Sequence, residues 1–315
     1  MKIKHFIVLA VLVTTITTLK PMASKNTDPV SFYQGNELVT EVNPSFGSLQ
    51  FLYTNRIGKI IRNLIARRWL GHLAGMYKSS WLSKSRIQPF IKAYDIDMSE
   101  YEIPEQGYAS FNDFFIRKFK PGARSIGNGI VSPADSKLYV IPNISTDTLF
   151  FVKHKSFNLE KFLGSKELAD YYRNGTLIIF RLAPYDYHRF HFPVDCIPSE
   201  PLVIRGILES VNPIVFKNGI QPLTENERHV ILLKTEHLET IAMVPVGATL
   251  VGKIVETYQP NQAHKKGDET GYFAFGGSTV VLLFKQGATK PAPAFLQHSL
   301  QGYETAVKMG EVIST

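Results

Sequence analysis

Ser278-Thr279-Val280-Val281-Leu282-Leu283-Phe284 is an unbroken run of branched and apolar residues entered through Gly276-Gly277. A run of this length and composition behind a glycine pair reads as a buried strand. The same texture recurs outward from it, in Lys137–Ile141, Leu149–Val152, Thr176–Leu182, Val230–Lys234, Thr240–Val244 and Thr249–Tyr258. Gly, Pro and Asn separate these runs, as turn residues do. The stretch from Leu159 to Tyr172 breaks the series and reads as a helical insertion. Residues 106–315 are therefore expected to form a β-rich domain, sandwich- or barrel-like.

The preceding half reads differently, which makes the fold class α+β. Ile57, Ile60, Ile61, Leu64 and Ile65 recur at helical spacing, with Lys59, Arg62 and Arg67 off that stripe. The pattern predicts a basic amphipathic helix suited to a lipid interface, with Trp69 near headgroup level. Ile87, Phe90, Ile91 and Tyr94 predict a second helix, capped by Ser83 or Ser85, with Pro89 in its first turn. Together these define a helical, membrane-associating region over 49–105. Residues 24–48 lack periodicity and read as a linker. Residues 1–23 pair Lys2 and Lys4 with an apolar run from Phe6 to Leu19, a signal-like or anchor segment.

Charge sharpens the picture. The chain of 315 residues carries a formal +8. No Asp or Glu occurs from Val42 to Tyr94, while Arg56, Lys59, Arg62, Arg67, Arg68, Lys78, Lys84, Arg86 and Lys92 all fall there. The excess is local, so the expected partner is an anionic surface, either lipid headgroups or nucleic acid. The single cysteine, Cys196, excludes an internal disulfide and reads as a buried thiol. No His, Cys or carboxylate cluster has metal-ligand spacing, so no metal is expected.

Three segments carry chemistry: Pro133-Ala134-Asp135, Asp186-Tyr187-His188-Arg189-Phe190-His191 and Gly276-Gly277-Ser278-Thr279. They supply an acid, bases and a hydroxyl, the inventory of a Ser-His-Asp arrangement. The serine lacks the G-x-S-x-G context of an esterase elbow. On the residues alone, a lipid hydrolase and a non-enzymatic membrane-binding β module both stay open.

The segments resemble those of the phosphatidylserine decarboxylases, from about residue 47 to 313. Phe111-Asn112-Asp113-Phe114-Phe115 with Arg117, and Pro121-Gly122-Ala123-Arg124, are similar to the family's opening motif. Asp135, the histidine motif Asp186-Tyr187-His188-Arg189-x-His191, Ser210-Val211-Asn212-Pro213, Asn226-Glu227-Arg228, Val246-Gly247-Ala248, Lys266-Gly267-Asp268-Glu269 and Gly-Ser-Thr follow in family order. The resemblance implies self-cleavage between Gly277 and Ser278, giving chains 1–277 and 278–315 that remain together as a heterodimer. Ser278 then becomes a pyruvoyl group, which joins the amine of phosphatidylserine as a Schiff base. Carbon dioxide leaves and phosphatidylethanolamine is released. His191 is the expected base for cleavage, with Asp135 holding its ring. His188 is expected to move a proton or position the substrate carboxylate. Arg189, Lys266 and Arg228 are open between ion pairing and headgroup contact. The resemblance favours a membrane surface and not nucleic acid as partner, and a membrane-associated location. It leaves homo-oligomerisation open.

Overall fold

The structure is a computed structural model describing residues 30–41, 46–66, 74–144, 157–248, 253–274 and 278–314. The signal-like segment, Trp69, the run Leu149–Val152 and Gly276-Gly277 lie outside the described residues. The strands in chain order are β1 (Ser31–Gln34), β2 (Glu37–Thr40), β3 (Ile130–Val131), β4 (Ser136–Ile141), β5 (Thr176–Leu182) and β6 (Arg189–His191). There follow β7 (Ile197–Pro198), β8 (Leu202–Ile204), β9 (Arg228–Lys234), β10 (Ile241–Gly247) and β11 (Lys253–Glu256). The last are β12 (Glu269–Ala274), β13 (Ser278–Phe284), β14 (Glu304–Val307) and β15 (Val312–Ser314).

Ten of these form one sheet in the order β2-β1-β14-β4-β5-β13-β10-β9-β7, with β8 also on β9. β13 lies in its middle, antiparallel to β5 on one side and β10 on the other. The central strands are apolar on both sides because both sheet faces are buried. Ile178, Phe180, Val280 and Leu282 share one core with Phe190 of β6, Ile254 of β11 and Phe273 of β12. Those last three strands form a small second sheet, β11-β12-β6. Leu177, Ile179, Val281 and Leu283 share the other core with Phe162, Leu163 and Tyr172 from helical segments. The result is a mixed α+β fold with a large sheet, covered by a small sheet on one face and helices on the other.

Three local expectations change. The insertion is two helices, Leu159–Leu163 and Lys166–Tyr172. Gly164 ends the first at φ 69, a left-handed conformation that favours glycine, and the Ser165 side chain caps the second. The stretch read as linker holds the β1–β2 hairpin, and β1 runs parallel to β14 in the main sheet. Its alternation was too short to register, and its partner lies at the far end of the chain. The second N-terminal helix begins at Ile87 after a 3₁₀ turn, Trp81–Arg86. Ser83 is not its cap: its hydroxyl accepts from the Phe111 N–H and donates to backbone carbonyls, pinning the turn to the helix Phe111–Phe115.

The first N-terminal helix pair, Phe46–Thr54 and Arg56–Ile65, rests on the helix Pro213–Lys217 through Leu52, Tyr53, Ile214 and Val215. Ile57 and Ile60 point away from that contact and are 64% and 71% exposed. Among the described residues no helix is long and apolar enough to cross a membrane.

Candidate active site

Ser278 is the first residue of β13, opposite Leu182 on β5 and Gly247 on β10. This register sinks its hydroxyl completely. After Leu182 the chain leaves the sheet through a tight turn. Asp186 accepts from the Ala183 N–H at 2.7 Å and, on both carboxylate oxygens, from the Lys137 ammonium at 2.8 Å. Burial pushes the Asp186 carboxyl up, and Lys137 opposes that push. The braced turn delivers Tyr187 and His188 to the mouth of the main sheet.

His188 lies with Nδ1 3.3 Å from Ser278 Oγ, and Phe115 stacks on its ring at 3.9 Å between centroids. The ring is 0% exposed, and its Nε2 has no hydrogen-bond partner. Burial, reinforced by the positive charge of Arg117, depresses its pKa to about 3. This histidine is neutral at any ordinary pH.

His191 occupies different surroundings. Its Nδ1–H donates to the Gly267 carbonyl at 2.9 Å, which leaves Nε2 to accept from the Tyr187 hydroxyl at 3.0 Å. The ring borders a cavity of about 310 Å³ that Lys118, Lys120, Arg124, Glu269 and Met309 also line. Burial lowers its pKa, while the Gly267 carbonyl and the charges of Glu269 and Asp135 push it back up.

The expected pairings therefore change. The ring against Ser278 is His188, not His191. In extended chain, residues three apart face opposite sides, so the two rings cannot both meet the serine. Asp135 does not hold the His191 ring. Its carboxylate takes the Arg124 guanidinium, at 2.7 Å to Nη2 and 3.3 Å to Nε, and the Met309 N–H at 2.8 Å. A guanidinium fork outcompetes a single neutral ring N–H for a carboxylate. Asp135 reaches His191 through charge alone.

The three open cations resolve toward structure. Arg189 pairs with Glu269 at 2.8 Å, and Lys266 donates to the Gly127 and Gly129 carbonyls. Arg228 spends all three nitrogens on the carbonyls of Phe162, Asn226 and Lys161. Cys196 is buried, its thiol pushed up to about 12 by burial, and so is inert. Among the described residues no cluster could hold a metal ion. Sequence reasoning missed the roles of Phe115, Arg124 and Tyr187, because ring stacking and carboxylate competition have no periodic signature.

Residues 111–315 match the family model described as phosphatidylserine decarboxylase. The chain belongs to the phosphatidylserine decarboxylase family. A phosphatidylserine decarboxylase proenzyme of Fusobacterium nucleatum is 45% identical over 279 residues, covering 87% of this chain and 93% of the relative. Proteins of the same name from Chlamydia pneumoniae and Chlamydia trachomatis are 41% and 40% identical, each covering 84% of this chain and 89% of the relative. The match to the family model thus runs from the helix Phe111–Phe115 through β15.

Proposed function

We propose that this chain is a self-processing decarboxylase that converts phosphatidylserine to phosphatidylethanolamine and carbon dioxide, with Ser278 as the residue that reacts. The observation that carries this reading is the buried Ser278 hydroxyl at the head of the central strand, in contact with His188. A hydrolytic serine would need an open approach for water and substrate. A serine that only has to attack its own preceding carbonyl does not.

The two histidines divide the work. Cleavage needs a base for the Ser278 proton, and a ring held near pKa 3 is a poor one. His191 is the better base: Gly267 fixes its tautomer, Nε2 carries the lone pair, and Asp135 and Glu269 favour its charged form. This role requires the Ser278 hydroxyl to leave His188 before cleavage, and the glycine pair that precedes it in the sequence is the backbone least restricted against such a change. The hydroxyl then attacks the Gly277 carbonyl. The Gly277–Ser278 C–N bond breaks as the ester forms, elimination across Ser278 releases Gly277 as a carboxylate, and hydrolysis of the enamine that remains expels ammonia and leaves the new chain start as a ketone.

A pyruvoyl group there supplies a carbonyl for the substrate amine and accepts the electrons released with carbon dioxide. The site fits such a group: the position is fully buried, apolar on the Phe115 side, and faced by Nδ1 of a neutral histidine. His188 holds the reacting residue in place and, as a neutral ring, offers a hydrogen bond that positions the substrate carboxylate beside it. The fragments stay associated because β13 and β14 are both internal strands of the main sheet, each flanked on two sides by strands of the longer fragment.

The N-terminal helical region docks on anionic lipid. Support comes from Ile57, Ile60, Trp81 and Leu82, all exposed, beside Arg56, Lys59, Lys84 and Arg86. Binding to phosphatidylserine-containing vesicles is expected to weaken as salt rises; salt-independent binding by a chain lacking residues 1–23 would refute electrostatic docking. For the chemistry, intact mass should show a break before Ser278 with a blocked new terminus. Ser278→Ala should give a single uncut chain without decarboxylase activity, and any phosphatidylethanolamine made by it removes Ser278 from the mechanism.

A further inference from the structure

Arg117 is a buried cation whose surroundings are unfinished. It follows the helix Phe111–Phe115 and is only 2% exposed. Its guanidinium rests against the Tyr101 ring at 4.3 Å and the Phe114 ring at 5.0 Å. Nη2 donates to the Tyr185 and Asp186 carbonyls at 3.0 and 3.3 Å, and to the Tyr101 hydroxyl at 3.5 Å. Nε and Nη1 have no acceptor. Among the described residues no carboxylate lies in ion-pair range of this group.

Arg228 is the internal control. It is equally buried and also lacks a carboxylate, yet each of its nitrogens meets a carbonyl. Leaving buried N–H groups unmet is costly, and more so on a charged group. The fold satisfies one arginine fully and leaves the other open. The charge of Arg117 acts on His188, the ring against the reacting residue. The carbonyls that Arg117 does use belong to the turn just before Tyr187-His188, and Phe115, two residues ahead of it, covers the His188 ring. The His188 Nε2, also unpartnered, belongs to the same neighbourhood.

We propose that Arg117 is the anion-binding residue of this site and takes the phosphodiester of the substrate on its free Nε and Nη1. The proposal rests on Ser278 being the reacting residue. Chemistry selects between the two anions of the substrate. The carboxylate is discharged as carbon dioxide, so a cation bound to it would stabilise the ground state more than the transition state. The phosphodiester keeps its charge from substrate to product, and arginine is well matched to phosphate oxygens. It is separated from the reacting amine by two carbons and one oxygen. Arg117 is tied to the reacting residue through the turn that carries His188.

The test uses the self-processed enzyme in detergent micelles, with cleavage verified by intact mass. The readouts are kcat, KM for phosphatidylserine and the inhibition constant of phosphatidylethanolamine. Arg117→Gln should raise KM and the product's inhibition constant together, by roughly ten- to a hundredfold, with kcat nearly unchanged. Arg117→Lys should show the same paired rise at smaller size, and it carries the test if the Gln variant fails to process. Unchanged constants in a processed variant overturn the proposal. So does a changed kcat or KM with an unchanged product constant, which would move Arg117 to the carboxylate. A wild-type enzyme that is cut before Ser278 yet does not act on phosphatidylserine would instead defeat the site assignment.

Discussion

His188 and His191 stand three residues apart, yet they live in opposite conditions. His188 is sealed beneath Phe115, touches Ser278 and keeps one nitrogen without a partner. His191 borders a cavity, has both nitrogens engaged and feels two carboxylates. The difference follows from where the chain turns. The braced turn at Ala183–Asp186 ends at His188, whereas His191 already belongs to β6 and faces the other way. One ring is deprived of charge and placed against the reacting atom. The other is left able to take a proton but is held away from it.

The largest effect that can break this comparison is on rates. His191→Gln should slow the appearance of the 278–315 fragment by roughly 10²–10⁴-fold. His188→Gln should cleave at a nearly normal rate but lose decarboxylation by a similar factor. The opposite pattern, read by intact mass and lipid assay, would exchange the two roles.

A smaller effect sharpens it. The unfolded His188 ring titrates at its ordinary value of 6.5, whereas the folded ring resists protonation down to about 3. Between those values the unfolded chain takes up a proton that the native chain refuses. Stability is therefore full above 6.5 and falls with falling pH, by ~1.4 kcal/mol per pH unit from this group. Denaturant melts of the uncut Ser278→Ala chain should show the slope, and adding His188→Gln should flatten it. Equal slopes in the two chains would mean His188 is not held neutral by burial.

Much of this was readable in the residues, for identifiable reasons. Thr176–Leu182 and Ser278–Phe284 were bounded to the residue, because a strand buried on both faces has no polar alternation to blur its ends. The β1–β2 hairpin was not readable. Its strands are short and largely exposed, and its anchor is long-range: Glu41 and Glu304 both hold the buried Arg181. Ser278, both histidines and Asp135 were picked out by their motifs. Their pairings were not, since they turn on a competitor, Arg124, and on the side of the chain each ring faces. Arg117 stood in the motif from the outset, but only burial distinguishes an arginine in a solvated loop from one lacking acceptors.

The central position of β13 has a consequence for timing. The strand that bears the nucleophile comes from near the end of the chain, and its neighbours β5 and β10 are both made before it. During synthesis the pocket around Ser278 stays incomplete until nearly the whole polypeptide has emerged and that strand has slotted home. A broken backbone at this serine is thus a receipt for finished folding, and a chain that stalls or misassembles stays in one piece and inert.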